Sequence, residues 1–283
     1  MRIIKVLEDF IYKRVIRNIL LTSKLGRQSV LGEAATGYNF DHMYAKISAG
    51  YYGIGKIIDF ILLRLPAVKA TRARKDKIIE ILSNEILALK KKDDVARIMD
   101  VACGAGRYLT DIESKFDQSD VEIIGVDFDR KSLNLGKELA AANNISERQL
   151  RYFKGNVFCL GHLKNFGKSI NWKPNIIIAS GLVEYLDEES TKRVFGQVYE
   201  GLTDSGLFIF FSQQANPSQK LMEKVCTTKE GPWVLYYRKS EILHGWLWQT
   251  GFRSISIMTD KWGMYNLFKI RKKTEQGETD GAR

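Results

Sequence analysis

The chain contains 283 residues, of which 45% are apolar and 27% are charged, with 4 Pro and 3 Cys. This length and composition allow a full hydrophobic core and exclude a disordered or collagen-like chain. Cys103, Cys159 and Cys226 are too few and too scattered for a disulfide framework or a zinc site. We therefore expect a cytoplasmic protein that holds no metal.

Positive charge is concentrated at the start of the chain. Residues 1–92 carry 18 Lys and Arg against 8 Asp and Glu, and the rest carries 26 against 25. Nucleic acid and anionic membrane both attract such a region, and a merely solvating surface is the simpler alternative.

Residues 1–22 repeat apolar side chains at steps of three and four with basic residues between them, which predicts a basic amphipathic helix. Residues 1–24 could make peripheral contact with an anionic membrane at its inner face, or pack on this chain or on a second subunit. No apolar run approaches the roughly 20 residues that a membrane-spanning helix needs.

Residues 23–50 contain Gly26, Gly32 and Gly37 and predict an irregular connector, followed by helices at 51–65 and 75–89. From residue 96 onward, short apolar runs alternate with helical stretches, which is typical of βαβ units and a parallel sheet. The predicted strands are 96–102, 122–128, 150–154, 175–179, 207–212, 254–258 and 265–270, and the predicted helices between them are 107–115, 130–142, 188–202, 218–226 and 240–250. We divide the chain into a basic helical extension (1–69), an α/β domain (70–271) and a disordered tail (272–283).

The first strand of this region runs into a glycine-rich turn and then a helix, over Ile98-Met99-Asp100-Val101-Ala102-Cys103-Gly104-Ala105-Gly106-Arg107. Glycines allow close backbone approach, and a helix N-terminus offers free N–H groups to a nucleotide-like cofactor. A carboxylate at Asp100 would repel a pyrophosphate and suits a cationic amine instead. The segment resembles the first motif of class I S-adenosylmethionine-dependent methyltransferases, with Ala102 in place of the usual first glycine.

This resemblance covers about residues 70–270. It implies a Rossmann-like, seven-stranded, mostly parallel sheet with a C-terminal antiparallel strand, and S-adenosylmethionine as cofactor. The cofactor-binding residues expected in the first loop are Asp100, Ala102, Cys103, Gly104, Gly106 and Arg107. By the same resemblance an upstream aromatic residue closes over the methionine part, and Tyr44 is our candidate.

Asp127 ends the next strand, 21 residues after Gly106, a spacing at which a carboxylate can accept both hydroxyls of a ribose. Either Asp127 or Asp129 could instead cap the helix that begins near Arg130. We favour Asp127 as the ribose ligand, Asp129 as the cap, and Phe128 as the neighbour of the adenine.

Two further strand ends complete the predicted site. The resemblance assigns the adenine amino group to Asn156, next to Val157, although an Asn in a turn is the alternative. Ser180 and Gly181 follow a fully apolar strand and are expected to line the pocket. The substrate candidates are Glu184, Tyr185, Gln213, Gln214 and Asn216.

Three segments narrow the resemblance to a bacterial methyltransferase family whose members are often fused to an α/β-hydrolase: Ser180-Gly181-Leu182-x-Glu184, Phe211-Ser212-x-Gln214-x-Asn216-Pro217 and Trp262-Gly263-Met264-Tyr265. This sequence has no Gly-x-Ser-x-Gly elbow, so we expect no hydrolase in it.

The leading hypothesis is methyl transfer to a small molecule or a lipid. No histidine lies in a catalytic motif, so no catalytic residue is assigned. An NAD-type oxidoreductase and a non-catalytic membrane- or partner-binding module with a relic pocket are the alternatives. A nucleic-acid acceptor ranks lower, because the sequence lacks an Asn/Asp-Pro-Pro-Tyr motif for a flipped base.

Overall fold

A computed structural model of the chain describes residues 2–117, 119–158 and 172–272. Its contacts divide the chain into two compact units. The N-terminal unit comprises residues 1–75 and 215–235, and the sheet unit comprises residues 76–214 and 236–283. The tail predicted at 272–283 lies outside the described residues from residue 273 onward.

The helices are, in chain order, α1 (Arg2–Phe10), α2 (Arg17–Leu20), α3 (Lys24–Val30), α4 (Gly37–Ala45), α5 (Ile54–Leu62), α6 (Pro66–Lys90), α7 (Arg107–Glu113), α8 (Arg130–Ala142), α9 (Glu188–Gly201), α10 (Gln219–Val225) and α11 (Ser240–Thr250). The strands are β1 (Ala96–Val101), β2 (Val121–Asp127), β3 (Leu150–Lys154), β4 (Ile176–Ala179), β5 (Leu207–Gln213), β6 (Thr227–Thr228), β7 (Gly231–Pro232), β8 (Ser254–Thr259) and β9 (Tyr265–Arg271). A π-helical segment, Ile11–Ile16, joins α1 to α2, so the helix predicted at the start of the chain is confirmed.

The prediction of an irregular connector at 23–50 is wrong, because the structure places α3 and α4 there. Each helix has an N-cap that offsets its short length. The Ser23 hydroxyl accepts a hydrogen bond from the Gly26 amide at 2.8 Å, and the Thr36 hydroxyl accepts one from the Asn39 amide at 3.2 Å. Gly26, Gly32 and Gly37 favour an irregular segment by their residue type, but they lie within or beside these capped helices.

The predicted domain boundary at 69 and 70 falls inside α6, a helix that begins with Pro66 at its first position. The predicted extension also did not include residues 215–235, which the contacts assign to the N-terminal unit. Ion pairs link the two segments of this unit, since Lys220 and Lys224 on α10 pair with Glu8 and Asp9 on α1.

Within the described residues of the sheet unit, seven strands form one sheet in the order β3-β2-β1-β4-β5-β9-β8. The first five run parallel, and β9 lies antiparallel to both β5 and β8, so the predicted fold class is confirmed. In this register Val101 lies beside Val126, and Ala179 lies beside Phe210. The carboxyl ends of β1, β2 and β4 therefore share one edge, where ligands of open α/β sheets bind.

The core of the sheet unit contains aromatic rings from both the sheet and its helices. Phe210 stacks on Phe268 with ring centroids 4.5 Å apart, and Phe195 packs against Phe208 edge-on. Such burial fixes the strands that carry the site residues at their ends. Among the described residues, no helix has the length and apolar character needed to cross a membrane.

Candidate active site

In the loop between β1 and α7, every second residue has a left-handed backbone conformation with positive φ. Ala102, Gly104 and Gly106 have φ of 60°, 59° and 58°. Glycine adopts this conformation without a steric penalty, whereas Ala102 carries a Cβ and pays one. The resulting tight coil brings backbone N–H groups to the start of α7, where a helix N-terminus favours polar or anionic ligand groups.

Asp100 lies completely buried at the end of β1, beneath this loop. Its Oδ2 accepts a hydrogen bond from the Tyr108 hydroxyl, and Ser180 Oγ lies 3.3 Å from the same hydroxyl. Asp100 Oδ1 is buried and has no hydrogen-bond donor within the described residues. Burial raises the pKa of the Asp100 carboxyl well above its usual range, and the nearby Asp127 adds to this effect, although the Tyr108 hydrogen bond opposes it.

Asp127 connects β2 to the glycine loop through hydrogen bonds from two backbone amides. Its Oδ2 accepts from the Gly104 amide at 2.8 Å, and its Oδ1 accepts from the Asp129 amide at 2.8 Å. Each oxygen retains a further lone pair for a ligand. Burial raises the pKa of Asp127, and these backbone hydrogen bonds counter part of the rise.

Asp129 is the N-cap of α8, as predicted. Its Oδ2 accepts from the Ser132 amide at 3.1 Å and from the Ser132 hydroxyl at 2.7 Å. The two neighbouring acids therefore have separate structural roles, since Asp127 holds the loop and Asp129 holds the helix. The assignment of Asp127 to a ribose stays a prediction.

The Tyr152 ring on β3 packs against the glycines around the loop. A Cβ at Gly106 would lie 3.0 Å from the Tyr152 hydroxyl, and one at Gly136 would lie 2.8 Å from the ring. The Tyr152 hydroxyl also donates to the Ala105 carbonyl at 3.2 Å. Gly106 is therefore required both by its φ and by this close approach.

Three predicted adenine-side residues lie at the ends of β2 and β3. Phe128 is 67% exposed next to Asp127, so its ring is available for stacking. Asn156 is exposed, and its Oδ1 accepts from the Phe158 amide at 2.9 Å, which is the turn alternative that the sequence left open. Val157 is half-buried and packs against the core of the sheet unit. The predicted contact of Asn156 with adenine stays a prediction.

The remaining predicted loop residues are arranged around the same turn. Cys103 is buried, and burial is the largest cause that raises its pKa well above the usual range. This thiol therefore stays protonated and serves as a packing group. Arg107 is half-buried at the first position of α7, and Gly181 is half-buried after β4.

The substrate candidates of the sheet unit follow β4 and β5. Glu184 is buried in a short 3-10 turn, Val183–Tyr185, and its carbonyl accepts from the Tyr236 amide at 2.8 Å. Gln213 is buried at the end of β5, and the Gln214 amide donates to the Met264 carbonyl at 2.7 Å. Tyr185 is half-buried.

A cleft of about 610 Å³ opens beside the end of β5. Its lining residues are Gln214, Lys239, Ser240, Glu241 and Asn266. The Asn266 side-chain amide donates to Ser240 Oγ, and its Oδ1 is buried without a hydrogen-bond donor in the described part of the chain. The cleft therefore offers amide, hydroxyl and charged groups to a polar ligand.

Tyr44 and Asn216 belong to the N-terminal unit. Tyr44 is half-buried on α4, and Asn216 Oδ1 accepts from the Ser218 amide at 2.8 Å just before α10. Both assignments to the site stay predictions. Across the described residues, no group of three His, Cys, Asp or Glu side chains is arranged as a metal site.

The model of one family, described as "Putative methyltransferase", matches residues 3–272. This match spans nearly the whole chain and includes β1, the glycine loop and every strand of the sheet. The chain belongs to this methyltransferase family. The broader resemblance drawn from the loop is thus confirmed, and a fusion to a hydrolase is not shown.

One curated relative of this chain is the uncharacterised protein YnbC of Escherichia coli, which is 25% identical to it over 235 residues. The match covers 82% of this chain and 39% of YnbC, so the chain spans well under half the length of that relative.

Solved structures share the fold. A possible exported protein from Bordetella parapertussis superposes with a TM-score of 0.68 at 17% identity, covering 91% of this chain and 86% of that one. The magnesium protoporphyrin IX methyltransferase of Synechocystis, solved with bound SAH, gives 0.58 at 12% identity, covering 87% and 99%. At such identities these likenesses establish the fold alone.

Several residues that the structure places beside the glycine loop or in the cleft carry little signal in the sequence. Tyr108 follows the glycine loop by less than one helical turn, which places it on the wall beside Asp100, but a tyrosine in a helix carries no such signal by itself. Asn266 lies between the apolar Tyr265 and Leu267, but the same strand also contains Lys269 and Arg271, so its signal is weak. Ser240, Lys239 and Glu241 lie at a helix start, where polar residues are ordinary.

Proposed function

We propose that this chain transfers a methyl group from S-adenosylmethionine to a small-molecule or lipid acceptor. The observation that carries the proposal is the left-handed loop of Ala102, Gly104 and Gly106, set between the buried carboxylates of Asp100 and Asp127. Membership of the methyltransferase family and the SAH bound to the Synechocystis enzyme of the same fold support the choice of cofactor.

The donor set fits such a cofactor. Among the described residues, none donates a hydrogen bond to the buried Asp100 Oδ1, and a cationic amine would supply one. Asp127 keeps lone pairs for ribose hydroxyls, and the exposed ring of Phe128 offers an apolar face to adenine.

When bound, the cofactor supplies a methyl group on a positively charged sulfur, already activated for in-line displacement. The work left to the chain is to hold and align the reactants and to exclude water. Asp127 holds the loop in place through Gly104, and Asp100 supplies negative charge where the cofactor is cationic. No base is needed for an acceptor that enters deprotonated.

We place the acceptor in the cleft beside β5, because it lies at the same edge of the sheet as the glycine loop. Ser240 and Asn266 would position polar atoms of the acceptor, and Glu241 is the titratable group among the lining residues that could accept a proton. A cleft of this size accommodates a small metabolite or the head group of a lipid.

The first test is isothermal titration of the full chain with S-adenosylhomocysteine and with NAD. We expect a dissociation constant in the roughly micromolar range for S-adenosylhomocysteine and no heat with NAD. Binding of NAD alone would overturn the proposal in favour of an oxidoreductase.

The second test identifies the acceptor. The protein is incubated with methyl-labelled S-adenosylmethionine and either lipid extracts or small polar metabolites, and transferred label is followed by mass spectrometry. For an acceptor so found, we expect Asn266→Ala to raise KM for the acceptor while cofactor binding is unchanged. Asp187→Ala, at the exposed N-cap of α9, is the matched control. Absence of transfer to either pool, despite cofactor binding, would favour a non-catalytic module.

A further inference from the structure

Helix α5 exposes three of its isoleucines to solvent and buries its one acidic residue. Ile54, Ile57 and Ile61 are 58%, 61% and 52% exposed, whereas Asp59 is fully buried. An ordinary surface helix of a folded protein has the opposite arrangement, with its apolar stripe against the core.

Asp59 fixes this orientation. Its carboxylate accepts hydrogen bonds from the Leu25 amide at 2.7 Å and the Ala49 amide at 3.0 Å, and lies 2.9 Å from His42 Nε2. Burial alone would raise the pKa of Asp59, but the hydrogen bonds from His42 and the two amides outweigh it and lower the pKa. Rotation of α5 to bury its isoleucines would remove Asp59 from these three partners, so the apolar exposure is built into the unit.

A close backbone joint holds the start of α5 against the end of the first helical run, which comprises α1, the π-helical segment Ile11–Ile16 and α2. The Tyr51 amide donates to the Thr22 carbonyl at 2.8 Å, and a Cβ at Gly55 would lie 2.0 Å from that carbonyl oxygen. Gly50 is equally constrained, since a Cβ there would lie 2.4 Å from the Gly55 backbone. The two helical segments are therefore fixed side by side at this joint.

The first helical run also exposes apolar side chains. Leu7 and Phe10 are each 58% exposed, and Ile4 and Val15 are exposed as well. We use the name apolar surface of the N-terminal unit for these residues and for Ile54, Ile57, Phe60 and Ile61 of α5, all of which expose apolar side chains to solvent. Single exposed apolar residues are ordinary, but a set of this size on two adjoining segments marks an interaction site.

The charges around the apolar surface are positive. On the first run, Glu8 and Asp9 are paired with Lys220 and Lys224 of α10, while Lys13 and Arg14 are exposed. On α5 and just beyond it, Lys56 and Arg64 are exposed, and Arg64 lies over the Phe60 ring at 3.2 Å. Between residues 46 and 75 the only acidic residue in the sequence is the buried Asp59.

We propose that the apolar surface of the N-terminal unit docks on an anionic lipid bilayer, with α5 inserting Ile54, Ile57 and Ile61 between the head groups. Apolar side chains bordered by Lys and Arg match the interfacial region of such a membrane. A second copy of this chain is a poorer occupant, because it would bring two sets of like charges together. The proposal extends the predicted membrane contact of residues 1–24 to a second helix and does not depend on methyl transfer.

The experiment is flotation of the full chain with two kinds of vesicle, pure phosphatidylcholine and phosphatidylcholine mixed with phosphatidylglycerol. We expect binding to the anionic vesicles that weakens with salt. Each exposed isoleucine that inserts is worth roughly tenfold in partitioning, so Ile57→Glu/Ile61→Glu should lower it by at least about 100-fold.

The matched control is Ile242→Glu, which adds a charge at an exposed apolar position of α11 in the sheet unit. It should bind vesicles like the unsubstituted chain, and circular dichroism should show both variants folded. Equal binding by the double variant and the control would overturn the proposal. So would a lipid-free dimer, seen by sedimentation, that Ile57→Glu/Ile61→Glu converts to a monomer, because that would assign the surface to a second copy.

Discussion

The hydroxyl of Tyr108 donates a hydrogen bond to the buried carboxylate of Asp100, eight residues earlier in the chain. This pair lies between the end of β1 and the first turn of α7, on the wall of the candidate cofactor site. Because the hydrogen bond lowers a pKa that burial raises, the protonation of Asp100 depends on both its partner and its ligand.

Cofactor binding should release a proton. A cationic cofactor favours the charged carboxylate, so the pKa of Asp100 falls on binding and the affinity rises with pH until the free protein is itself ionised. Titration calorimetry in two buffers of different ionisation enthalpy measures this release. Asp100→Asn should weaken both the binding and its pH dependence. A proton count of zero in the unsubstituted protein would contradict the prediction.

Tyr108→Phe should move the same pH dependence to higher pH. The substitution removes the hydrogen bond that lowers the pKa of Asp100 and leaves the burial that raises it. Tyr199→Phe is the matched control, because Tyr199 packs edge-on against Phe252 in the core. We expect its binding profile to coincide with that of the unsubstituted chain. A Tyr108→Phe profile at unchanged pH would show that the hydroxyl does not tune the acid.

Ala102→Gly should stabilise the protein. Ala102 has a φ of 60°, which costs an L-residue about 1–2 kcal/mol, and glycine removes this cost. Glycine also has more conformational freedom in the unfolded chain, which offsets part of the stabilisation. The free energy of unfolding in urea should rise by about 0.5–1 kcal/mol. Ala105→Gly, in the same loop at a buried position without positive φ, should lower it. A loss of stability in Ala102→Gly would mean that its partly buried methyl group contributes more than the strain costs.

Asp127→Ala and Asp129→Ala should separate binding from capping. Asp127 orients Gly104 and is predicted to hold the ribose, so its loss should weaken S-adenosylhomocysteine binding by about 100-fold. Asp129 caps α8, so its loss should cost about 1 kcal/mol of stability and leave the affinity nearly unchanged. Calorimetric titration and thermal unfolding of both variants make the comparison. Equal affinities in the two variants would remove Asp127 from the cofactor site.

Glu113→Gln should stabilise the protein at neutral and higher pH. Burial raises the pKa of Glu113 from 4.5 to about 7, so the folded state retains a proton that the unfolded state has lost. Stability of the unsubstituted chain therefore falls as pH rises from 4.5 to about 7. The glutamine variant lacks this decline, and its advantage should be about 1–2 kcal/mol at pH 8 and vanish near pH 4. An advantage independent of pH, measured by urea unfolding, would rule out ionisation as its cause.

The two central strands β4 and β5 were predictable because they are almost wholly apolar. Ile176–Ala179 and Leu207–Gln213 are buried along their full lengths, and the sequence carries that burial as the apolar runs 176–179 and 207–211. The short helices α3 and α4 were not predictable in the same way, since each depends on one capping hydroxyl and on packing against other parts of its unit.

The sequence locates the glycine loop and the strand ends beside it, but not the side-chain contacts between them. Asp100, Gly104, Gly106 and Asp127 are recognisable because spacing along the chain determines where strand ends and turns fall. The approach of Ser180 to Tyr108 joins residues 72 positions apart, which only the strand order β1-β4 brings together. For Asn156 the sequence does not distinguish two roles, because asparagine is equally suited to a turn and to a hydrogen bond with a bound adenine.

The N-terminal unit is discontinuous in the chain, and this has a consequence for its synthesis. Residues 1–75 are translated before Lys220, Lys224 and Val225, which belong to the same unit but are made more than 140 residues later. Until then Glu8 and Asp9 lack the lysines that pair with them in the finished protein. Leu20 and Val30, which share a core cluster with Val225, likewise lack that contact until β1 to β5 have been translated.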